Sequence, residues 1–141
     1  MFRKDGVIMA KCTYEPDREF LKTLGKMSDV KLYAPQMLTE SAPILVEQLK
    51  SNLSSHVVTG SMVRSIKATG VKENEFGHYL VVRPTGKGAG KNAIRNMEKF
   101  THLELGTSKQ PPRPVIQKTL NDSRARIEQK MQEVFEREIS K

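Results

Sequence analysis

Leu38, Ala42, Leu45, Leu49 and Leu53 recur at steps of three and four residues, which puts them on one face of a helix. The spacing predicts a long helix over Tyr33–Leu53. Pro35 suits its first turn, but Pro43 falls in its interior, where the missing N–H and the ring oppose a regular helix. The chain therefore either kinks at Pro43 or restarts there with Ser41 as a cap. Ser51-Asn52 and Ser54-Ser55 mark the exit.

Upstream, Val7–Tyr14 is a short extended segment between Gly6 and Pro16. Pro16-Asp17-Arg18-Glu19 then reads as a helix start, with acids placed to complement the helix dipole. Phe20, Leu21, Leu24 and Met27 form its stripe, and Gly25 or Ser28 closes it.

Downstream, Thr59 is positioned to cap a helical turn over residues 60–65. A strand over Ile66–Lys72, a polar turn over Lys72–Gly77 and a strand over His78–Arg83 make an antiparallel hairpin. Residues 84–92, with three glycines, predict a flexible loop. Asn92 is placed to cap a helix over Ala93–Leu105, which Gly106 stops in a left-handed conformation. Pro111, Pro112 and Pro114 stiffen the following turn, and Pro114 opens a last helix to about Ile139 with Leu120, Ile127, Met131, Val134 and Phe135 on its apolar stripe. The elements predict one α+β domain over 1–141, a small antiparallel sheet packed against a long N-terminal helix and a C-terminal helix.

Composition fits that picture. The chain has 141 residues, 37% hydrophobic and 28% charged, enough for one modest core. No apolar run approaches the ~20 residues that cross a bilayer, and residues 1–6 lack the apolar centre of a secretory signal. The expectation is synthesis in the cytoplasm and no membrane partner. Cys12 stands alone, which excludes an internal disulfide or a multi-cysteine zinc site and leaves it a small packing residue.

Charge changes the picture more. The net charge is +8, and residues 59–112 hold nine basic and four acidic side chains of it. Arg83, Lys87, Lys91, Arg95 and Lys99 recur every four residues. Pro84 and the glycines interrupt the first half, so Lys91, Arg95 and Lys99 are the ones expected to share a helical face. Such a surface serves as a solvated face, as a guide for a protein partner, or as a basic DNA-binding module over residues 83–99.

Candidate chemistry is thin. Gly86-Lys87-Gly88-Ala89-Gly90-Lys91-Asn92 follows a strand, as a phosphate loop does, but three residues rather than four separate Gly86 from Gly90, and Asn92 stands where a hydroxyl should be. His56, His78 and His102 share no metal-ligand spacing. Ser61 or Ser65 with His102 and Glu104 would be a nucleophile set, but no nucleophile elbow supports it. The expectation is a protein that is not an enzyme and takes no cofactor, metal or small-molecule substrate.

Three short motifs remain: Thr59-Gly60-Ser61-Met62-Val63-Arg64-Ser65-Ile66, Phe100 to Glu104-Leu105-Gly106-Thr107, and Pro111-Pro112-Arg113-Pro114-Val115. In this order, over about residues 32–141, the chain resembles the gene-product-10-like (HK97-type) family of phage tail-completion and head–tail-joining proteins. That family carries Thr-Gly-x-Leu-x-x-Ser-Ile, then Glu-Phe-Gly-Thr after an aromatic-led segment, then Pro-x-Arg-Pro-Phe. Met62 stands for the Leu, Leu105 for the aromatic and Val115 for the Phe; residues 1–31 lie outside the resemblance.

The resemblance implies a structural protein of the virion neck, made in the bacterial host cytoplasm from phage or prophage genes. Its implied partners are further copies in a ring, often a hexamer, and other neck or tail proteins; the positive middle segment is expected to line the channel, where non-specific contact with DNA is enough. Thr59, Gly60, Ser65, Glu104, Gly106, Thr107, Arg113 and Pro114 become the corner that fixes the ring angle. Glu104 is expected to brace that corner by pairing with Arg113 or Arg64, and the 86–91 loop to be ordered by a neighbour or by the tail tube.

Overall fold

Two long helices carry the molecule. The computed structural model describes residues 17–56 and 60–141. Helix α1 covers Arg18–Ser28 and α2 covers Val30–Ser54; Asp29 alone separates them, its N–H donating back to the Lys26 carbonyl at 3.3 Å. Then come α3 (Ser61–Arg64), β1 (Ile66–Ala68), β2 (Lys72–Asn74), β3 (Gly77–Tyr79), β4 (Val82–Pro84), α4 (Asn96–Leu105) and α5 (Ile116–Ile139). The α+β class holds: α2 packs along α5, and small antiparallel two-stranded sheets contact α2.

Helix α2 runs unbroken through both Pro35 and Pro43. Ser41 does not restart it. Its hydroxyl donates to the Leu38 carbonyl at 3.2 Å, and the residue is buried. Helix α5 lies antiparallel to α2, as the cross-links show: Asn52 to Thr119 and Asp122, Gln48 to Arg126, and Glu40 to Lys130 and Arg137. Near the far end, Tyr33 meets Phe135 edge-to-face with centroids 5.9 Å apart. Ser41 and Ala42 of α2 and Thr119 and Ser123 of α5 are small and buried, and Ser123 satisfies its hydroxyl on the Thr119 carbonyl at 2.7 Å, so burying it leaves no donor orphaned. Leu120, expected on the buried stripe, is instead 47% exposed, whereas Val134 is fully buried.

The predicted hairpin is present but stepped. β1 pairs with β4 so that Ile66 faces Pro84, while β2 pairs with β3 so that Lys72 faces Tyr79. Between the two ladders Thr69, Gly70 and Val71 oppose only Leu80 and Val81, a bulge of one residue that shifts the register. Thr69 bridges the step: its N–H donates to the Val81 carbonyl at 2.8 Å, and its hydroxyl accepts from the Val81 N–H at 3.1 Å. Lys72, Glu73 and Asn74, read from sequence as the turn, form β2, and the reversal is confined to Glu75-Phe76.

The main core lies where α2, the hairpin base, α4 and the start of α5 meet. Leu49, Leu53, Ile66, Phe100 and Val115 form it, with Val46, Met62, Val63, Val82 and Leu103 packed around them. Full burial of a side chain such as Leu53 contributes roughly 1.5–3 kcal/mol. The extended segment expected at Val7–Tyr14 with Cys12, the Pro16 start and the Thr59 cap all lie outside the described residues.

Candidate functional site

The corner between α4 and α5 is built from the backbone outward. Gly106 ends α4 at φ 75°, and its N–H donates to the His102 carbonyl at 2.9 Å. A β-carbon there would stand 2.7 Å from the Pro112 nitrogen and 3.0 Å from the Gln110 carbonyl oxygen. Glycine is thus required twice, by the left-handed φ and by the close return of the chain. Thr107 to Gln110 closes a tight turn. The Thr107 N–H donates to the Gln110 carbonyl at 2.9 Å, and the Thr107 hydroxyl accepts from the Lys109 and Gln110 amides at 3.3 and 3.2 Å. The proline run then lays the chain back along α4, where the Arg113 N–H donates to the Leu103 carbonyl at 2.8 Å.

Glu104 does not pair with Arg113 or Arg64. Its Oε2 accepts from the Val115 N–H at 2.7 Å and the Ile116 N–H at 3.3 Å, so the carboxylate caps α5. The reason is local. The expected start at Pro114 is two residues early; the N-cap residue is Val115, whose side chain has no acceptor and is buried in the core. The first amides of α5 need an anion from elsewhere, and the last turn of α4 supplies one. Arg113 and Pro114 are exposed and contribute only backbone.

The upstream motif joins the same structure. Gly60 occupies the N-cap of α3 at φ 70°. The Ser65 hydroxyl donates to the Met62 carbonyl at 2.7 Å, and the Ser65 carbonyl accepts both the N–H and the hydroxyl of Thr85, at 3.1 and 2.9 Å. Met62, Val63 and Ile66 from the first motif, Phe100 and Leu103 from the second and Val115 from the third pack into one cluster. The first motif, distant in sequence from the adjoining second and third, joins them as the walls of a single core.

The basic residues divide differently from the periodicity. α4 starts at Asn96, not Ala93, because Arg95 is held extended by an isolated antiparallel bridge to Lys87. Asn92 caps nothing; buried Asn96 pins the junction instead, its amide Nδ2 donating to the Thr85 carbonyl at 2.7 Å and its N–H to the Gly86 carbonyl at 3.0 Å. Hence Lys91, Arg95 and Lys99 share no helical face. Lys91 sits in the turn of the 84–92 segment, the Lys99 ammonium lies over Gly88, and Arg83, Lys87 and Arg95 line one concavity. Lys67 on β1, which periodicity did not single out, stands directly opposite Arg83.

Two members of the nucleophile set suggested by the sequence are engaged elsewhere. The Ser65 hydroxyl is spent on backbone, Glu104 on the α5 cap, and His102 is exposed. Among the described residues no three His, Cys, Asp or Glu side chains converge as a metal site, and no helix is long and apolar enough to cross a membrane. No family model, curated protein or solved structure matches the chain.

Proposed function

We propose that the protein is a structural subunit of a phage or prophage head–tail neck, which assembles head-to-tail into a ring and meets neighbouring neck or tail proteins. The observation that carries this is the presence of two unlike apolar surfaces at opposite ends of one rod. α2 is about 37 Å long at 1.5 Å per residue. At one end α1 is tethered to the end of α5 by the Lys26 ammonium on the Ile139 carbonyl at 3.3 Å, and Phe20, Leu21, Leu24 and Met27 are each more than 40% exposed. At the other end Ile116 and Leu120 are exposed beside the corner, rimming a concavity whose lining includes Leu45 and Phe100. Leu105, in the position that is aromatic in the family it resembles, is 73% exposed at the end of α4.

A ring needs two different patches per subunit, because a heterologous contact uses one face of each partner and closes only at a fixed angle. The amphipathic α1 suits the helix-in-groove mode of contact. The rigid corner holds the second patch at a set angle to the rod. The packing of the three motifs into one core supports the family reading, since these residues then have a shared structural reason for their order.

The test is complementation followed by sedimentation. Phe20→Ser/Leu24→Ser removes one surface and Ile116→Ser/Leu120→Ser the other. Wild type is expected to form closed oligomers and each double variant to stay monomeric. Their equimolar mixture is expected to form dimers that grow no further, because one intact copy of each surface remains. A wild type that stays monomeric at roughly 100 µM, far above the Kd of a typical specific interface, would sink the assembly reading.

A further inference from the structure

We propose that Lys67, Arg83, Lys87 and Arg95 form a contact surface for the phosphate backbone of double-stranded DNA. The inference stands apart from ring assembly and does not need it.

Two like-charged pairs are placed in register. Lys67 faces Arg83 across β1 and β4, and Lys87 faces Arg95 across the isolated bridge that follows. Directly opposed like charges on a sheet oppose folding, so a fold that keeps two such pairs side by side gains nothing from them internally. Burial fixes their direction: Ile66 and Pro84 point into the core, so Lys67 and Arg83, one residue over in each strand, point out. Arg83, Lys87 and Arg95 surround one concavity with Thr85, Gly86 and Met97. None of the four cations makes an ion pair with a carboxylate of the described residues; the ion pairs there belong to the hairpin tip, to α5 and its C-terminus, and to the α2–α5 seam. Glu98 is the only acid between residues 76 and 103.

The chemistry selects the ligand. Four uncompensated cations, two of them guanidinium forks, suit regularly spaced phosphates. The concavity offers no aromatic platform: Tyr79 stands on the far ladder beyond the bulge, and Phe76 in the reversal at its tip. Single-stranded nucleic acid, which binds through base stacking, is therefore disfavoured. No Asn, Gln, Asp or Glu lines the concavity; its cations meet phosphate, a contact that carries no sequence information.

The test uses the full-length protein and a fluorescent 20-base-pair duplex, with anisotropy read across a salt series. Four phosphate contacts predict a log–log salt slope of about −3.6, hence roughly hundredfold weaker binding at 200 mM than at 50 mM salt. Lys87→Gln/Arg95→Gln and, separately, Lys67→Gln/Arg83→Gln should each reduce the slope by about two. The circular dichroism should be unchanged, because each change relieves a repulsion. Lys22→Gln/Lys118→Gln carries the same charge loss elsewhere and should leave the slope near the wild-type value. Equal losses in this control, or a salt-independent affinity, would overturn the proposal. So would competition by polyglutamate as strong as that by unlabelled duplex, which would assign the surface to an acidic protein.

Discussion

Glu104 in the last turn of α4 accepts the Val115 amide at 2.7 Å, so the end of one helix caps the start of the next. The same carboxylate takes the Ile116 amide, and Val115 between them is a member of the main core. Corner and core are one unit: the cap fixes where α5 begins, and that position seats Val115 against Phe100 and Leu53.

Glu104→Ala should cost about 1–2 kcal/mol of unfolding free energy, the usual range for a lost side-chain cap. Glu104→Gln should lose less, because an amide oxygen still accepts but carries no charge to meet the helix dipole. Arg113→Ala should stay within about 0.5 kcal/mol, since its part in the corner is its backbone N–H. Urea unfolding of the three variants separates a cap from an ion pair: equal losses at Glu104 and Arg113 would restore the pair.

Gly106→Ala should be among the most damaging small changes in the chain. The left-handed φ alone costs on the order of 1–3 kcal/mol, and the contact with Pro112 adds to it. Gly70→Ala, where the added carbon meets nothing within 4 Å and φ is ordinary, should be neutral or slightly stabilising. Thermal midpoints of the two variants make the comparison.

The seam between α2 and α5 predicts an asymmetry at Ser123, which is fully buried. Ser123→Ala should change stability by less than about 1 kcal/mol, because the hydroxyl serves only the Thr119 carbonyl of its own helix. Ser123→Leu should cost roughly 1–3 kcal/mol by forcing the helices apart. Denaturant midpoints that fall equally for both would argue against close packing there.

Acid sensitivity should trace to the end of the rod that carries Glu40 and Glu138. The Arg137 hydrogen bond, then that of Gln36, holds the Glu40 carboxyl below the usual range, and Lys141 does the same for Glu138. A pKa lowered by folding means that the folded state prefers the ion. The stabilisation is complete above the unfolded value of about 4.3 and is lost as pH falls through the lowered folded value. Thermal midpoints should therefore hold from pH 7 to about 5 and decline below that, and Glu40→Gln should flatten the decline. An unchanged acid limb in that variant would remove Glu40 from the account.

Sequence periodicity alone determined the α+β class, the two long helices, the hairpin and the stop at Gly106. These rest on local rules: apolar spacing at three and four residues, β-branched runs and the φ freedom of glycine. Chain order also placed the three motifs whose apolar members build the core. Tertiary structure decided the rest. Ser41, Thr119 and Ser123 are buried because two helices approach closely, which no single segment encodes. The bulge at Thr69–Val71 depends on how two strands register. The four-residue spacing of the cations was broken where Lys87 paired with Arg95, and the pairing of β1 with β4 brought in Lys67 instead. Glu104 became a cap because Val115, drawn into the core, left the first amides of α5 without an acceptor of its own. An unsatisfied helix end has a fixed demand for an acceptor, and only the folded chain shows which carboxylate stands close enough to meet it.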